Sequence, residues 1–136
     1  GLPSCDGSDE TMIYGIGIDV IQPHRVARLL DKYGERFVKR VLTPLEQPRY
    51  LRSAQPVLDL ANRFAAKEAF SKAIGTGFRY PVTLQCISVV QNPAGKPSLA
   101  FNEALEAMVR GNGIISHHLT ISDESNLACA CVVLEK

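Results

Sequence analysis

An acid, two ammonium groups and a hydroxyl share one narrow strip of the segment Arg63 to Gly77, RFAAKEAFSKAIGTG. At about 100° per residue, Lys67, Glu68, Ser71 and Lys72 fall together with only Phe64 among them. Ala66, Ala69, Phe70, Ala73 and Ile74 take the broad remaining arc. A helix so patterned is mostly buried, and buried charge is costly unless it is paired or bound to a ligand. The strip suits a metal ion and a phosphate better than bare solvent.

Asp19 and Glu68 are the expected metal ligands, because hard cations such as Mg²⁺ take a pair of carboxylates and complete their shell with water and phosphate oxygens. The ordinary alternatives are a turn residue at a strand end for Asp19 and an i,i+4 ion pair with Lys72 for Glu68. Lys67 and Lys72 can meet a phosphate or lie on a solvated face. His118 alternates with Thr120 and Ser122 on one strand face, while His117 goes with Leu119 and Ile121 on the other. His118 is therefore the better ligand of the two, although a lone strand histidine is more often structural. Gly95-Lys96-Pro97 is a turn followed by a cation. Arg25, Arg28 and Lys32 lie within about 60° of one another on a helix, where a solvated face is the common reading.

These residues need elements to hold them. Met12 to Ile21 reads as a strand with Tyr14, Ile16, Ile18 and Val20 on one face and Gly15, Gly17 and Asp19 on the other. Two glycines in line with an aspartate mark a close approach by another group. Pro23 opens a helix that Gly34 breaks, and Glu35 to Leu42 continues as a turn or two. Thr43-Pro44-Leu45-Glu46 has the form of a capping box, so a short helix starts there. The long helix runs from about Leu58 to Ile74, with Gly75 as a left-handed cap. Val82 to Val90 and Ser98 to Phe101 are strands around the turn Asn92 to Gly95. Asn102 caps a helix ending near Arg110, and Ile115 to Ser122 and Leu127 to Leu134 form a hairpin. The pattern predicts an α+β fold in which an antiparallel sheet packs on the long helix.

Composition narrows the function classes. With 136 residues, 46% hydrophobic and 21% charged, the chain reads as one globular domain over 12–136. Residues 1–11 are polar and aperiodic and are expected to be a leader or expression remnant. No apolar run reaches the ~20 residues of a membrane span. Cys5, Cys86, Cys129 and Cys131 form no CxxC pair, and the last three sit in apolar strand-like runs, as buried free thiols of a cytoplasmic protein would. Net charge is +1, yet Gln22 to Arg52 holds eight Lys/Arg against three Asp/Glu, which predicts a basic face for an acidic partner. Interleaved aromatics and nucleic-acid motifs are missing, so a protein or a phosphorylated small molecule fits better than nucleic acid.

Together, GIGIDV at Gly15 to Val20, RFAAKEAFSKAIGTG at Arg63 to Gly77, GKP at Gly95 to Pro97 and HLTISDE at His118 to Glu124 resemble, in order and spacing, bacterial holo-[acyl-carrier-protein] synthase, the small type of 4'-phosphopantetheinyl transferase. The resemblance spans about residues 12–136, and the KEAFSKAIGTG block with the upstream Gly-Ile-Asp is its specific part. It implies a reaction: a serine of apo acyl carrier protein attacks the β-phosphate of coenzyme A, phosphopantetheine is transferred for fatty acid synthesis, and adenosine 3',5'-bisphosphate leaves. It implies Mg²⁺, or Mn²⁺, on Asp19 and Glu68. Lys72 would contact the pyrophosphate, and His118 would lie near the metal and the CoA phosphates. Arg63 and Lys67 would sit at the CoA end of the pocket, with Gly95, Lys96 and Pro97 near the adenine. The resemblance also implies a homotrimer with sites between subunits, and makes Arg25, Arg28 and Lys32 the docking stripe for an acidic carrier. One departure is Ser122-Asp123, where many members carry a second histidine or a threonine. The competing readings are a transferase for carrier domains of secondary metabolism, whose larger members are about twice this length, a non-catalytic trimeric CoA- or nucleotide-binding module, and a nucleic-acid binder using the basic half.

Overall fold

The computed structural model of the chain describes residues 10–136. The leader expected over residues 1–11 therefore lies, except for its last two residues, outside the described residues, as does Cys5. The elements follow in the order β1 (Ile13–Ile21), α1 (Pro23–Tyr33), α2 (Glu35–Val41), α3 (Gln47–Leu51), α4 (Pro56–Ile74), a short 3-10 turn (Leu84–Cys86), β2 (Ile87–Gln91), β3 (Pro97–Phe101), α5 (Glu103–Gly111), β4 (Ser116–Glu124) and β5 (Leu127–Glu135). Two antiparallel sheets result, one with strand order β1-β5-β4 and one made of the hairpin β2-β3. The fold is α+β, with helix α4 against the three-stranded sheet.

Local signals set most of the boundaries. Pro23 and Pro56 open α1 and α4, where a missing N–H leaves nothing unpaired. Gly34 (φ 58°) and Gly75 (φ 87°) close them, and Gly75 N–H reaches back to the carbonyls of Ser71 and Lys72. Asn102 caps α5 by accepting a hydrogen bond from Leu105 N–H at 3.0 Å. The expected capping box is only half made. Glu46 accepts from Thr43 N–H at 2.9 Å, but the Thr43 hydroxyl meets Ser88 at 2.6 Å instead, and α3 starts later, at Gln47. The strand expected from Val82 begins only at Ile87, because the chain first makes the 3-10 turn.

Helix α4 lies between two apolar clusters. Phe70, Ala73 and Ile74 pack with strands and with Leu105 and Val109 of α5, while Leu60 and Ala61 pack with Val26, Val41 and Leu42. Ile21 at the end of β1 touches both. On its sheet side the helix is alanine-rich, and β1 answers with glycines. A Cβ on Gly15 would fall 1.8 Å from Ala73 O, and one on Gly17 would fall 1.9 Å from Ala69 O. The spacing has a geometric cause: two strand residues advance about 6.7 Å and four helix residues about 6 Å, so each glycine seats over one helical turn. The close approach read from the two glycines is made by the backbone of α4.

Among the described residues no helix is long and apolar enough to cross a membrane. Gly17→Ala is expected to lower the thermal unfolding midpoint by roughly 10 °C, since overpacking of this kind costs on the order of 3 kcal/mol. A differential scanning measurement showing an unchanged midpoint would mean that β1 can lift from α4 without loss.

Candidate functional site

The glycine contact delivers Asp19 to the polar edge of α4. Lys72 Nζ donates to Asp19 Oδ1 at 3.1 Å and to the Ile18 carbonyl at 3.0 Å. Glu68 lies one helical turn before Lys72, close enough for the Asp19 charge to act on it. Burial first, and the Asp19 carboxylate second, push the Glu68 carboxyl above its ordinary range, with Lys72 pulling the other way. The Lys72–Asp19 pair is half open to solvent at its lysine, so it adds little to stability, about 1 kcal/mol at most. Two carboxylates held together at some mutual repulsion, with one ammonium beside them, make a poor stability device and a good cation and phosphate site. Hard oxygen donors of this kind fit Mg²⁺. Among the described residues no cluster of three or more His, Cys, Asp or Glu side chains occurs, so a cation here would take its remaining ligands from water and substrate oxygens.

The polar strip on α4 does not act as one unit. Lys67 is fully buried and Arg63 is 2% exposed. Both turn inward to Glu46, itself buried, with Lys67 Nζ 2.6 Å from Oε1 and Arg63 Nη1 3.2 Å from Oε2. Lys67 Nζ also donates to the carbonyls of Val41 and Leu84. Arg63 donates through Nη1 to Val89 O at 2.6 Å and through Nε to Asp59. Glu46 completes its set by accepting from the backbone N–H groups of Thr43 and Val89. Arg63 and Lys67, expected at the CoA end of a pocket, are paired with Glu46 inside the chain in this structure. Burial drives the Lys67 ammonium below its ordinary range against the opposing pull of Glu46. Ser71 is buried too, its hydroxyl donating to the Glu68 carbonyl at 2.7 Å.

His118 is also separated from the cluster. Gly17, Asp19 and the inward residues Ala130 and Val132 of β5 face α4. His118, Thr120 and Ser122 stand on the opposite face with Cys129 and Cys131 beside them. The alternation read from sequence is right, and it puts the sheet itself between His118 and Asp19 within one chain. That outer face carries Ile16, Ile18 and Val20, each more than half exposed. Cys86 is buried as expected, whereas Cys129 and Cys131 are only partly so, because they share this open face; all three thiols are free. Gly95, Lys96 and Pro97 form the tip of the β2-β3 hairpin, with Gly95 at φ 89° and Lys96 N–H donating to Asn92 Oδ1. They belong to the second sheet and are not brought into the Asp19 cluster. Arg25, Arg28 and Lys32 are exposed on α1 and line one shallow depression with Leu29 and Asp31.

Two residues that organise these groups were not singled out as functional in the sequence. Glu46 had a signal, as the acid of the capping box, but its partners lie 17 and 21 residues away on α4. Glu135, which meets His118, had only its place at an outward position of β5.

Comparison with known proteins adds an independent observation. A family model described as the 4'-phosphopantetheinyl transferase superfamily matches residues 15–132. A holo-[acyl-carrier-protein] synthase of Nitrosospira multiformis is 56% identical over 125 residues, which cover 92% of this chain and all of that one. The crystal structure of holo-[acyl-carrier-protein] synthase from Neisseria meningitidis superposes with a TM-score of 0.90 at 43% identity, over 92% of this chain and 100% of its own. The synthase of Bacillus anthracis, in complex with CoA (3',5'-ADP), superposes with a TM-score of 0.75 at 39% identity, over 91% and 97%.

The raised Glu68 carboxyl has a measurable consequence. An acid held above its ordinary pKa costs the folded state stability once the pH passes that ordinary value, because the unfolded chain ionises first. Glu68→Gln is therefore expected to raise the melting temperature at neutral pH in EDTA, by roughly 2 °C. A lower melting temperature in that scan would show that the Glu68 charge is compensated locally and does not strain the site.

Proposed function

The chain belongs to the 4'-phosphopantetheinyl transferase superfamily, and from that premise we propose how its residues carry the reaction. The enzyme moves 4'-phosphopantetheine from coenzyme A to a serine of apo acyl carrier protein, giving the holo carrier and adenosine 3',5'-bisphosphate, in the service of fatty acid synthesis. The serine Oγ forms a bond to the β-phosphorus of the pyrophosphate. The bond from that phosphorus to the bridging oxygen breaks, and the bridging oxygen leaves on the bisphosphate.

The observation that carries the assignment of residues is the convergence of Asp19, Glu68 and Lys72 at the β1–α4 contact. Asp19 and Glu68 would hold Mg²⁺, with Mn²⁺ as the alternative ion, and the bound cation would supply positive charge beside the pyrophosphate. Lys72, free to exchange its weak pair with Asp19 for a phosphate oxygen, offers a charge-assisted hydrogen bond as negative charge shifts to the leaving group. The serine proton needs an acceptor, and the Glu68 carboxylate would take it. Gly95, Lys96 and Pro97 stand as the adenine-proximal stretch, contributed from the hairpin tip.

The carrier docks on α1 through Arg25, Arg28 and Lys32, whose exposed cations complement an acidic partner. The working form is a homotrimer, in which the apolar outer face of the three-stranded sheet is covered by other copies. Two features support this: Ile16, Ile18 and Val20 form a continuous exposed row, and His118 can approach an Asp19–Glu68–Lys72 cluster only from a neighbouring copy. Residues 12–136 act as one transferase domain, and the free thiols suit the cytoplasm.

Intact mass of apo acyl carrier protein after incubation with this enzyme, CoA and Mg²⁺ tests the reading. A gain of about 340 Da, one phosphopantetheine, that disappears in EDTA is expected of metal-assisted transfer. No gain with several bacterial carriers, despite CoA binding, would reduce the chain to a binding module. Subunit completion is tested by mixing two variants after dissociation and reassembly. Asp19→Ala and His118→Ala homomers are each expected to lose about 100-fold in kcat, and the mixture to recover a clear fraction of it. A mixture as inactive as its parents would place both residues in one chain's site.

A further inference from the structure

We propose that Glu135 is the positioning residue for His118, holding its imidazole in one orientation and one tautomer on the outer face of the sheet. The inference rests on the reading above, in which His118 meets the phosphate-bearing substrate. In the β4–β5 register Ser116 lies opposite Glu135, and His118 stands two residues further on the same face, opposite Val133. A glutamate at this position spans that diagonal. Its Oε1 lies 2.6 Å from His118 Nε2 and accepts from Ser116 Oγ at 2.8 Å. A cross-strand arrangement of this kind brings diagonal neighbours within reach only of long side chains, as glutamate and histidine are.

The chemistry of the carboxyl sets the state of the ring. Hydrogen bonds from His118 and then from Ser116 hold Glu135 below the usual carboxylate range, so it is ionised at neutral pH and accepts only. His118 Nε2 must then carry a hydrogen. Nδ1 is left as the open ring atom, an acceptor when the ring is neutral and a donor when it is charged. No other hydrogen bond to this ring forms among the described residues, and the side chain is 55% exposed, so nothing in the chain competes for Nδ1. The neighbouring His117 ring turns to the other face and packs edge-on against Phe101 at 5.0 Å, leaving His118 unobstructed. An exposed histidine without a partner samples several rotamers and both tautomers. A carboxylate on Nε2 removes that freedom before the substrate arrives, as carboxylates do for histidines that bind metals.

The test compares transfer by wild type, Glu135→Ala, Glu135→Gln, His118→Ala and the Glu135→Ala/His118→Ala double variant, using CoA, Mg²⁺ and an apo acyl carrier protein. Glu135→Ala is expected to lower kcat about 10-fold with little change in the KM for the carrier, by analogy with other supporting carboxylates. Glu135→Gln keeps an acceptor oxygen and is expected to restore most of that loss. The double variant is expected to be no worse than His118→Ala alone, since the two residues act as one unit. Wild-type kcat in Glu135→Ala, or losses that multiply in the double variant, would overturn the inference and leave the transferase reading intact. Wild-type kcat in His118→Ala would overturn both this inference and the placing of His118. Ring ¹⁵N shifts of His118 decide the matter independently of turnover, even if wild type were to transfer nothing. The Nε2–H tautomer is expected in the wild type and a mixture in Glu135→Ala, and an identical tautomer in both would sink the positioning role.

Discussion

The contact between the backbone of β1 and the backbone of α4 is the constraint on which the rest of the molecule depends. Two glycines on the strand and two alanines on the helix remove the side chains that would hold the elements apart. Strand and helix then lie closer than side-chain packing normally permits, and their repeats match over two turns. The consequence lies just beyond the contact, where Asp19 comes within hydrogen-bond distance of Lys72 and within electrostatic reach of Glu68. A wider spacing would leave three separate surface charges. The proposed chemistry therefore begins with the absence of two methyl groups.

A second interaction fixes which way α4 faces. Buried charge pairs seldom add net stability, but they are strongly directional, and removing one partner leaves the other stranded at a cost of about 3–5 kcal/mol. Glu46 receives Arg63, Lys67 and two backbone N–H groups. Because Lys67 must point to Glu46, its neighbour Glu68 is turned about 100° away, toward β1. The basic residues of α4 are therefore divided between two tasks. Arg63 and Lys67 lock the helix rotation, and Lys72 remains at the surface where a phosphate can displace its weak pairing.

The outer face of the sheet is the surface on which the proposed homotrimer depends. It presents a row of isoleucine and valine to solvent next to a histidine whose hydrogen-bond partner is already in place. An apolar face of this kind is ordinarily covered. If other copies cover it, the histidine arrives at a site whose carboxylates come from elsewhere, with the sheet as the wall between them. The same β5 strand serves both sides: alternate residues build the interior, and the others carry the thiols and Glu135 outward.

Much of this was legible without coordinates. Periodicity placed α4, the glycine caps and the terminal hairpin, because those signals are local and repeat over several residues. The alternation in MIYGIGIDVI put Asp19 and the glycines on one face, and the alternation in SHHLTIS separated His117 from His118. The family motifs identified Asp19, Glu68 and Lys72 as a set. The fate of Arg63 and Lys67 was not legible. Helical spacing puts Lys67 on the strip with Glu68, but whether a charge on this helix meets a ligand or a buried acid depends on Glu46, which reaches Lys67 and Arg63 from another segment. Nor could the strand pattern show that Glu135 spans the sheet diagonal to His118, since that needs the register of β4 against β5. Residue type and period are properties of a short stretch of chain, and sequence alone determined them. Which charges are satisfied inside and which are left for a substrate depends on partners many residues away, and only the tertiary structure decided that.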